Sequence, residues 1–212
     1  MANNYYSTAR VEMLPYVAED AMRVLEVGCG AGSFCRLLRE RNSAVELWGI
    51  EPVAAAASAA ESVVDRIFCE GVESCIESLP DKHFDSVVFN DVLEHLVEPW
   101  SVLRSLRGKL RDSGAVTASL PNIRHWSRIK QLWLDGDWTY QDDGLLDRTH
   151  LRFFTPQSMR SLFEEADYKV TRLEGLKREP LPWKFSLASR MLAVRMDEMR
   201  CIQYAVVASP RT

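Results

Sequence analysis

The chain has 212 residues, 47% hydrophobic and 26% charged, proportions that suit one soluble globular domain with a sizeable core and exclude a disordered, collagen-like or low-complexity protein. Thirty acidic residues against 26 basic ones leave a formal charge of -4. With no basic excess to grip a phosphate backbone, nucleic acid is not expected as a partner.

Residues 1–6 carry no basic stretch followed by an apolar run, so no signal peptide is expected. Beyond them, short apolar runs at 22–27, 46–50, 66–69, 84–89 and 115–120 read as strands. The segments 33–41, 53–64 and 100–110 between them read as helices. Near-continuous apolar strands alternating with helices predict an α/β fold, a doubly wound, mostly parallel sheet with helices on both faces in a three-layer sandwich. After Leu120, Pro121-Asn122 breaks the strand and 124–134 reads as a helix carrying Trp126, Ile129 and Trp133. An irregular stretch rich in Asp and Gly follows. Thr155-Pro156 pairs a hydroxyl N-cap with proline at the first helical position, predicting a helix to about Ala166. Strands are expected at 168–173 and 202–208, with a helix near 187–199 between them. The whole of 1–212 reads as a single domain, with 1–20 as an N-terminal cap and 122–153 as an insertion.

The five cysteines, Cys29, Cys35, Cys69, Cys75 and Cys201, are odd in number and form no C-x-x-C pair. Reduced thiols and a cytoplasmic location are expected. The longest apolar stretch, 52–60, is mostly alanine and too short to span a bilayer. Basic and apolar residues intermingle over 176–200. A crossover helix with a wet basic face is the favoured reading there, and contact with a membrane surface the lesser one.

The strongest local signal is Glu26-Val-Gly28-Cys29-Gly30-Ala-Gly32, where the first strand meets the first helix. Glycines there let the chain turn tightly and let a ligand approach the backbone. A dinucleotide loop, G-x-G-x-x-G, would need glycine at 33, which is Ser33, and no G-K-[ST] follows to make a P-loop. Glu51, before Pro52, ends the second strand. An acid there can accept both hydroxyls of a ribose, or it can simply order a strand-end turn.

These features, with Phe89-Asn90-Asp91-Val-Leu-Glu-His95-Leu after the fourth strand, resemble the class I S-adenosylmethionine-dependent methyltransferases. Residues 121–126 and 143–155 resemble bacterial members of glycan, O-antigen and lipopolysaccharide pathways. The resemblance implies a seven-stranded Rossmann-like sheet with its last strand antiparallel, and S-adenosylmethionine as cofactor. It further implies that backbone around Glu26, Gly28, Cys29, Gly30 and Gly32 meets the methionine and ribose portions, that Glu51 and Pro52 lie at the ribose, and that Asn90 and Asp91 lie near the methionine. Adenine would sit by Gly71 and Val72, where the family's usual acid is missing, leaving backbone or Glu73 to hold it. Tyr6 would shield the cofactor and Arg10 would meet its carboxylate; a frayed terminus is the plainer reading of that segment.

The implied reaction is in-line methyl transfer, expected on a sugar or glycan hydroxyl. The alternatives are an amino sugar, a small aromatic or quinone precursor, or a non-catalytic cofactor-binding subunit. A hydroxyl acceptor benefits from a general base, and histidine suits that work near neutral pH. His150 is the favoured base, with Asp147 or Asp91 to orient it; His125, beyond the fifth strand, is a second candidate. Holding the insertion together is the plainer role for His150. His83 is expected in solvent and His95 in local packing. No H-x-x-x-H spacing appears, so no metal site is expected. Trp126, Trp133, Trp138, Tyr140, Phe153 and Phe154 would form either an aromatic wall for the acceptor or lid packing. Oligomeric state is left open by these patterns.

Overall fold

Side chains alternate between the two faces of each central strand, and both faces are covered. In β1 (Arg23–Val27), Val24 joins one buried cluster, while Leu25 and Val27 join the other. In β4 (Phe84–Asn90), Val88 joins the first cluster, and Val87 and Phe89 the second. Two-sided burial is what a parallel sheet sandwiched between helices requires. The computed structural model describes residues 9–185, 187 and 196–211.

The remaining elements are α1 (Ser33–Arg41), β2 (Glu46–Ile50), α2 (Ala54–Ala60), β3 (Arg66–Phe68), α3 (Val72–Cys75), α4 (Pro99–Arg107), β5 (Leu110–Pro121), α5 (Trp126–Lys130), α6 (Pro156–Glu165), β6 (Tyr168–Arg178) and β7 (Cys201–Pro210). The sheet runs β3-β2-β1-β4-β5-β7-β6. Strands β1 to β5 are mutually parallel, and β7 is antiparallel to both β5 and β6. This is the expected seven-stranded Rossmann-like sandwich. Strand order reverses direction between β1 and β4, and ligands of open α/β sheets bind outside the carboxyl ends of the strands at such a point.

Several expectations hold in detail. Thr155 caps α6 with a reciprocal hydrogen-bond pair: the Ser158 N–H donates to Thr155 Oγ1 at 3.3 Å and the Thr155 N–H to Ser158 Oγ at 2.8 Å. Others need correction. β5 starts five residues before the predicted strand, at Leu110, because Leu110 still pairs with Phe84 across a bulge while Gly114 packs against the Phe84 carbonyl. β6 runs on to Arg178, paired with Cys201; its outer half is exposed and charged, as edge strands tend to be, which hides it from an apolar search. The helix expected over 124–134 is α5 followed by a π-helical turn, Gln131–Asp135, with Trp133 79% exposed. Most of the helix expected at 187–199 lies outside the described residues; Asp197–Arg200 form a 3-10 turn. Among the described residues, no helix is long and apolar enough to cross a membrane.

Candidate active site

The glycine loop is a preformed backbone cradle. Gly28, Gly30 and Gly32 have φ of 70°, 54° and 77°, the left-handed region where a side chain is strained. At Gly28 a Cβ would also stand 2.5 Å from Val92 Cγ2, so glycine is required there twice over. The Gly28 and Cys29 N–H groups donate to the Ile50 carbonyl at 2.8 and 3.1 Å, tying the loop to β2. Cys29 is buried, which pushes its thiol well up and keeps it protonated.

Glu51 orders this loop. One carboxylate oxygen accepts the Gly30 N–H at 2.9 Å, the other the Val53 N–H at 2.9 Å, and the residue is only 4% exposed. Glu26 lies beneath, 2% exposed. Burial raises its pKa to about 7, against hydrogen bonds from Cys35 and Asn90, both at 3.0 Å, that favour the ionised form. Asn90 spends its amide on Glu26, and its own Oδ1 is buried without a partner among the described residues. Pro52 is exposed after Glu51. Gly71 starts α3 with an ordinary backbone, Val72 is 3% exposed, and a Cβ on Gly71 would stand 3.4 Å from the Glu73 carboxylate. No buried acid stands at that point, in keeping with the sequence pattern.

At the mouth of β4, Asp91 takes φ 56°. Its carboxylate accepts from Ser119 Oγ at 2.9 Å and Gln203 Nε2 at 3.0 Å, and pairs with the Arg10 guanidinium. Arg10 thus meets Asp91 across the strand mouth, where opposite charges brought to one edge neutralise each other. Ser119 and Gln203 carry no motif, and only the strand order brings them here. Tyr6 lies outside the described residues.

The insertion docks on the segment after β4 through main chain. Leu151 and Arg152 N–H groups both donate to the Glu94 carbonyl, at 2.9 and 3.0 Å. This sets the His150 ring 4.8 Å from the His95 ring, centroid to centroid. Asp147 accepts from the Thr149 N–H at 2.7 Å and hydroxyl at 2.6 Å. Thr149 in turn meets His95 Nδ1 through its hydroxyl at 3.1 Å and its carbonyl at 3.2 Å. Burial works against ionisation of Asp147, but the Thr149 hydrogen bonds outweigh it and hold its carboxyl below the usual range. Burial, then the neighbouring His95, lowers the pKa of His150 and keeps it a neutral imidazole near pH 7. The Asp147 carboxylate therefore reaches the pair through Thr149 and His95, while its carbonyl accepts the His150 backbone N–H at 3.0 Å.

Glu94 is fully buried, and neither carboxylate oxygen has a hydrogen-bond partner among the described residues. Burial, reinforced by Asp91, raises its pKa well above normal. Its ligand atom and those of His95 and His150 lie within 4.8 Å of one another, a grouping able to hold a metal ion. Beside His150, Phe153 gathers Trp138 at 5.5 Å and Tyr140 at 6.4 Å between ring centroids. Part of the expected aromatic wall therefore stands next to this cluster. Phe154 is buried in the core and Trp126 packs on Phe185.

His125 is built into another set of contacts. It is 2% exposed, with Nδ1 2.8 Å from Ser127 Oγ and Nε2 3.4 Å from Glu179; burial lowers its pKa. His83, expected in solvent, is half-buried, because its ring packs on Trp48 at 5.2 Å and Phe84 at 4.9 Å.

Comparison with known proteins agrees with this geometry. A methyltransferase domain family matches residues 2–173. The chain is 28% identical over 193 residues to the ubiquinone biosynthesis O-methyltransferase of Ruegeria pomeroyi, covering 82% of this chain and 70% of that one. It is 27% identical over 178 residues to the protein of the same name from Bradyrhizobium diazoefficiens, covering 80% and 67%. A crystal structure of an S-adenosylmethionine-dependent methyltransferase from Archaeoglobus fulgidus superposes with a TM-score of 0.72 at 18% identity, over 94% of this chain and 91% of that one. The fold and the glycine cradle are those of a class I enzyme that takes its methyl group from S-adenosylmethionine. The chain belongs to the methyltransferase domain family.

Proposed function

We propose that this methyltransferase O-methylates a hydroxyl on a small aromatic acceptor of the quinone-precursor kind. The observation that carries this reading is the similarity to ubiquinone biosynthesis O-methyltransferases over four-fifths of the chain. It favours an aromatic hydroxyl over the sugar hydroxyl or amino sugar that the insertion motifs suggested. Aromatic rings of Trp138, Tyr140 and Phe153 beside His150 suit a flat acceptor by stacking.

Backbone at Glu26, Gly28, Cys29, Gly30 and Gly32 holds the methionine and ribose portions of the cofactor. Glu51, with Pro52 beside it, has acceptor capacity left for the ribose diol, since each carboxylate oxygen carries two lone pairs and spends one on a loop amide. The orphaned Asn90 oxygen accepts from the cofactor's ammonium group. Adenine lies by Gly71 and Val72. Arg10 and Asp91 close the methionine end, with Tyr6 covering it.

The protein's task is alignment and exclusion of water. The O–CH3 bond forms as the S–CH3 bond breaks, the electron pair stays on sulfur, and the hydroxyl proton passes to neutral His150. Asp147 steadies this end through Thr149 and His95. General-base help of this kind contributes roughly 10²–10⁴-fold, so His150→Ala should lower kcat within that range while the cofactor Kd moves less than about twofold. The decisive assay offers labelled S-adenosylmethionine with catechol-type aromatics, nucleotide sugars and amino sugars. Label in the aromatic methyl ether supports the proposal. Label confined to sugars overturns the acceptor assignment, and full activity in His150→Ala removes that residue from the chemistry.

A further inference from the structure

A second set of polar groups gathers at the turn after β5, apart from the cradle and the His150 cluster. His125 is 2% exposed and is held there through Asn122. The His125 N–H donates to the Asn122 carbonyl at 3.0 Å, and the buried Asn122 amide donates to the Glu198 and Cys201 carbonyls at 2.9 and 2.8 Å. Glu179, just beyond β6, is pinned to the same region. Its N–H donates to the Arg200 carbonyl at 2.8 Å, and its carbonyl accepts from Arg200 Nε at 3.1 Å. The His125 ring therefore stands between two side chains: Nδ1 is 2.8 Å from Ser127 Oγ, and Nε2 is 3.4 Å from the Glu179 carboxylate. The second contact is longer than a full hydrogen bond, as catalytic contacts often are before a substrate closes the site.

These neighbours order the protons. An ionised carboxylate only accepts, so Glu179 calls for the hydrogen on Nε2 and leaves the Nδ1 lone pair facing the Ser127 hydroxyl. Burial holds His125 below the usual imidazole range, so the ring is neutral and able to take a proton near pH 7. Ser127 lines a cleft of about 340 Å³ together with Trp126, Arg128, Lys130, Gln131 and Asp137, a size that suits a small ligand. The histidine stands behind it, buried. Arg128 Nε lies 3.4 Å from Ser127 Oγ, and its guanidinium pairs with no acid among the described residues. Asp137 is occupied by Gln131 and Thr139. A simple turn bond between Ser127 and His125 would need neither an acid at the far nitrogen nor an unpaired cation beside the hydroxyl.

We propose that Ser127, His125 and Glu179 form a nucleophilic triad that hydrolyses small carboxylic esters in the cleft beside α5, an activity separate from methyl transfer. Nucleophile, base and orienting acid are recognised by geometry and role, whatever the fold or chain order. Ser127 Oγ bonds to the ester carbon as its proton passes to His125 Nδ1. The bond from that carbon to the alcohol oxygen breaks, and the departing alcohol takes the proton from His125. Water then adds to the acyl-serine and gives a proton to His125. The bond to Ser127 breaks, Oγ recovers the proton, and the carboxylic acid leaves. Arg128 meets the negative charge that builds on the carbonyl oxygen in both steps. Glu179 is a positioning residue: it fixes the ring tautomer and steadies the imidazolium.

The full chain is treated with diisopropyl fluorophosphate, whose phosphorus bonds to an activated serine oxygen as fluoride leaves. Its mass should rise by one diisopropylphosphoryl group, mapped by peptide fragmentation to Ser127, and the untreated chain should hydrolyse p-nitrophenyl acetate. Ser127→Ala should lose both label and hydrolysis with methyl transfer unchanged. His125→Gln should slow both by roughly 10²–10⁴-fold, with S-adenosylmethionine affinity unchanged as the sign of a folded chain. If His125→Gln does not fold, the half-exposed Glu179→Gln decides. The charges that bear on His125 are Glu179, which raises its pKa, and Arg128, which lowers it. Glu179→Gln should therefore slow labelling and move its pH midpoint down, a shift that a merely structural role would not produce. Label absent from Ser127, hydrolysis that persists in Ser127→Ala, labelling undiminished in His125→Gln, or a midpoint unmoved in Glu179→Gln would overturn the triad.

Discussion

The glycine loop and the histidine cluster share the carboxyl edge of the sheet, yet their polar groups are treated in opposite ways. At the loop, both oxygens of buried Glu51 receive a backbone amide. At the cluster, both oxygens of buried Glu94 receive nothing among the described residues. The loop and its carboxylate are satisfied and preorganised, built to cradle a cofactor without rearrangement. The other half leaves buried polar groups unsatisfied among the described residues, and such groups in native proteins call for an explanation.

The largest expected effect tests the finished half. Gly30→Arg forces a long side chain onto a φ of 54° in the loop and fills the space the cofactor backbone contacts require. S-adenosylmethionine affinity by calorimetry should fall at least 100-fold, with thermal unfolding still cooperative. Unchanged affinity would move the cofactor elsewhere and dissolve the contrast between the halves. A subtler blow falls on Glu51→Gln. The amide can accept through one atom only, so either the Gly30 or the Val53 N–H faces a donor. An unpaired buried N–H costs about 1–3 kcal/mol, and the cofactor should bind roughly 10- to 100-fold more weakly. If Glu51→Gln binds as well as the parent, Glu51 orders neither loop nor ribose.

The difference between the halves also explains what could be read from the sequence. The cradle is local: Glu26, Gly28, Gly30 and Gly32 lie within seven residues, and positive φ makes glycine obligatory, so the pattern is written in consecutive letters. Glu51 is equally legible because β2 pairs in register with β1, Val27 opposite Ile50. The acceptor half is assembled over distance. Glu94 and His150 are joined only because main-chain hydrogen bonds seat residues 151 and 152 on residue 94, and amide-to-carbonyl pairing leaves no signature in side-chain types. Ser119 and Gln203 reach Asp91 because β7 inserts beside β5, a consequence of topology. His83 differs from expectation for a similar reason: its polar neighbours suggest solvent, but Trp48 from a different strand covers its ring. The aromatic letters of the insertion likewise could not show that Phe153 faces Trp138 and His150 while adjacent Phe154 turns into the core.

Glu26 marks the boundary between the halves and gives the most diagnostic effect. Its pKa rises from 4.5 to about 7 in the folded chain, chiefly by burial. Between those values the folded protein holds a proton that the unfolded chain has released, so stability falls as pH climbs through this window and levels off above it. A tenfold change in an ionisation constant is worth about 1.36 kcal/mol. The parent should therefore lose roughly 2–3 kcal/mol between pH 5 and pH 8 relative to Glu26→Gln, read as the difference in denaturant unfolding free energies. A cationic sulfonium nucleoside bound above Glu26 favours the ionised carboxylate. Cofactor affinity should accordingly strengthen as pH rises through about 7 in the parent and stay flat in Glu26→Gln. Parallel stability curves for the two proteins would mean that Glu26 is already ionised at pH 5, with its hydrogen bonds from Cys35 and Asn90 outweighing burial. The cradle would then carry a standing negative charge and would be preorganised electrostatically as well as in shape.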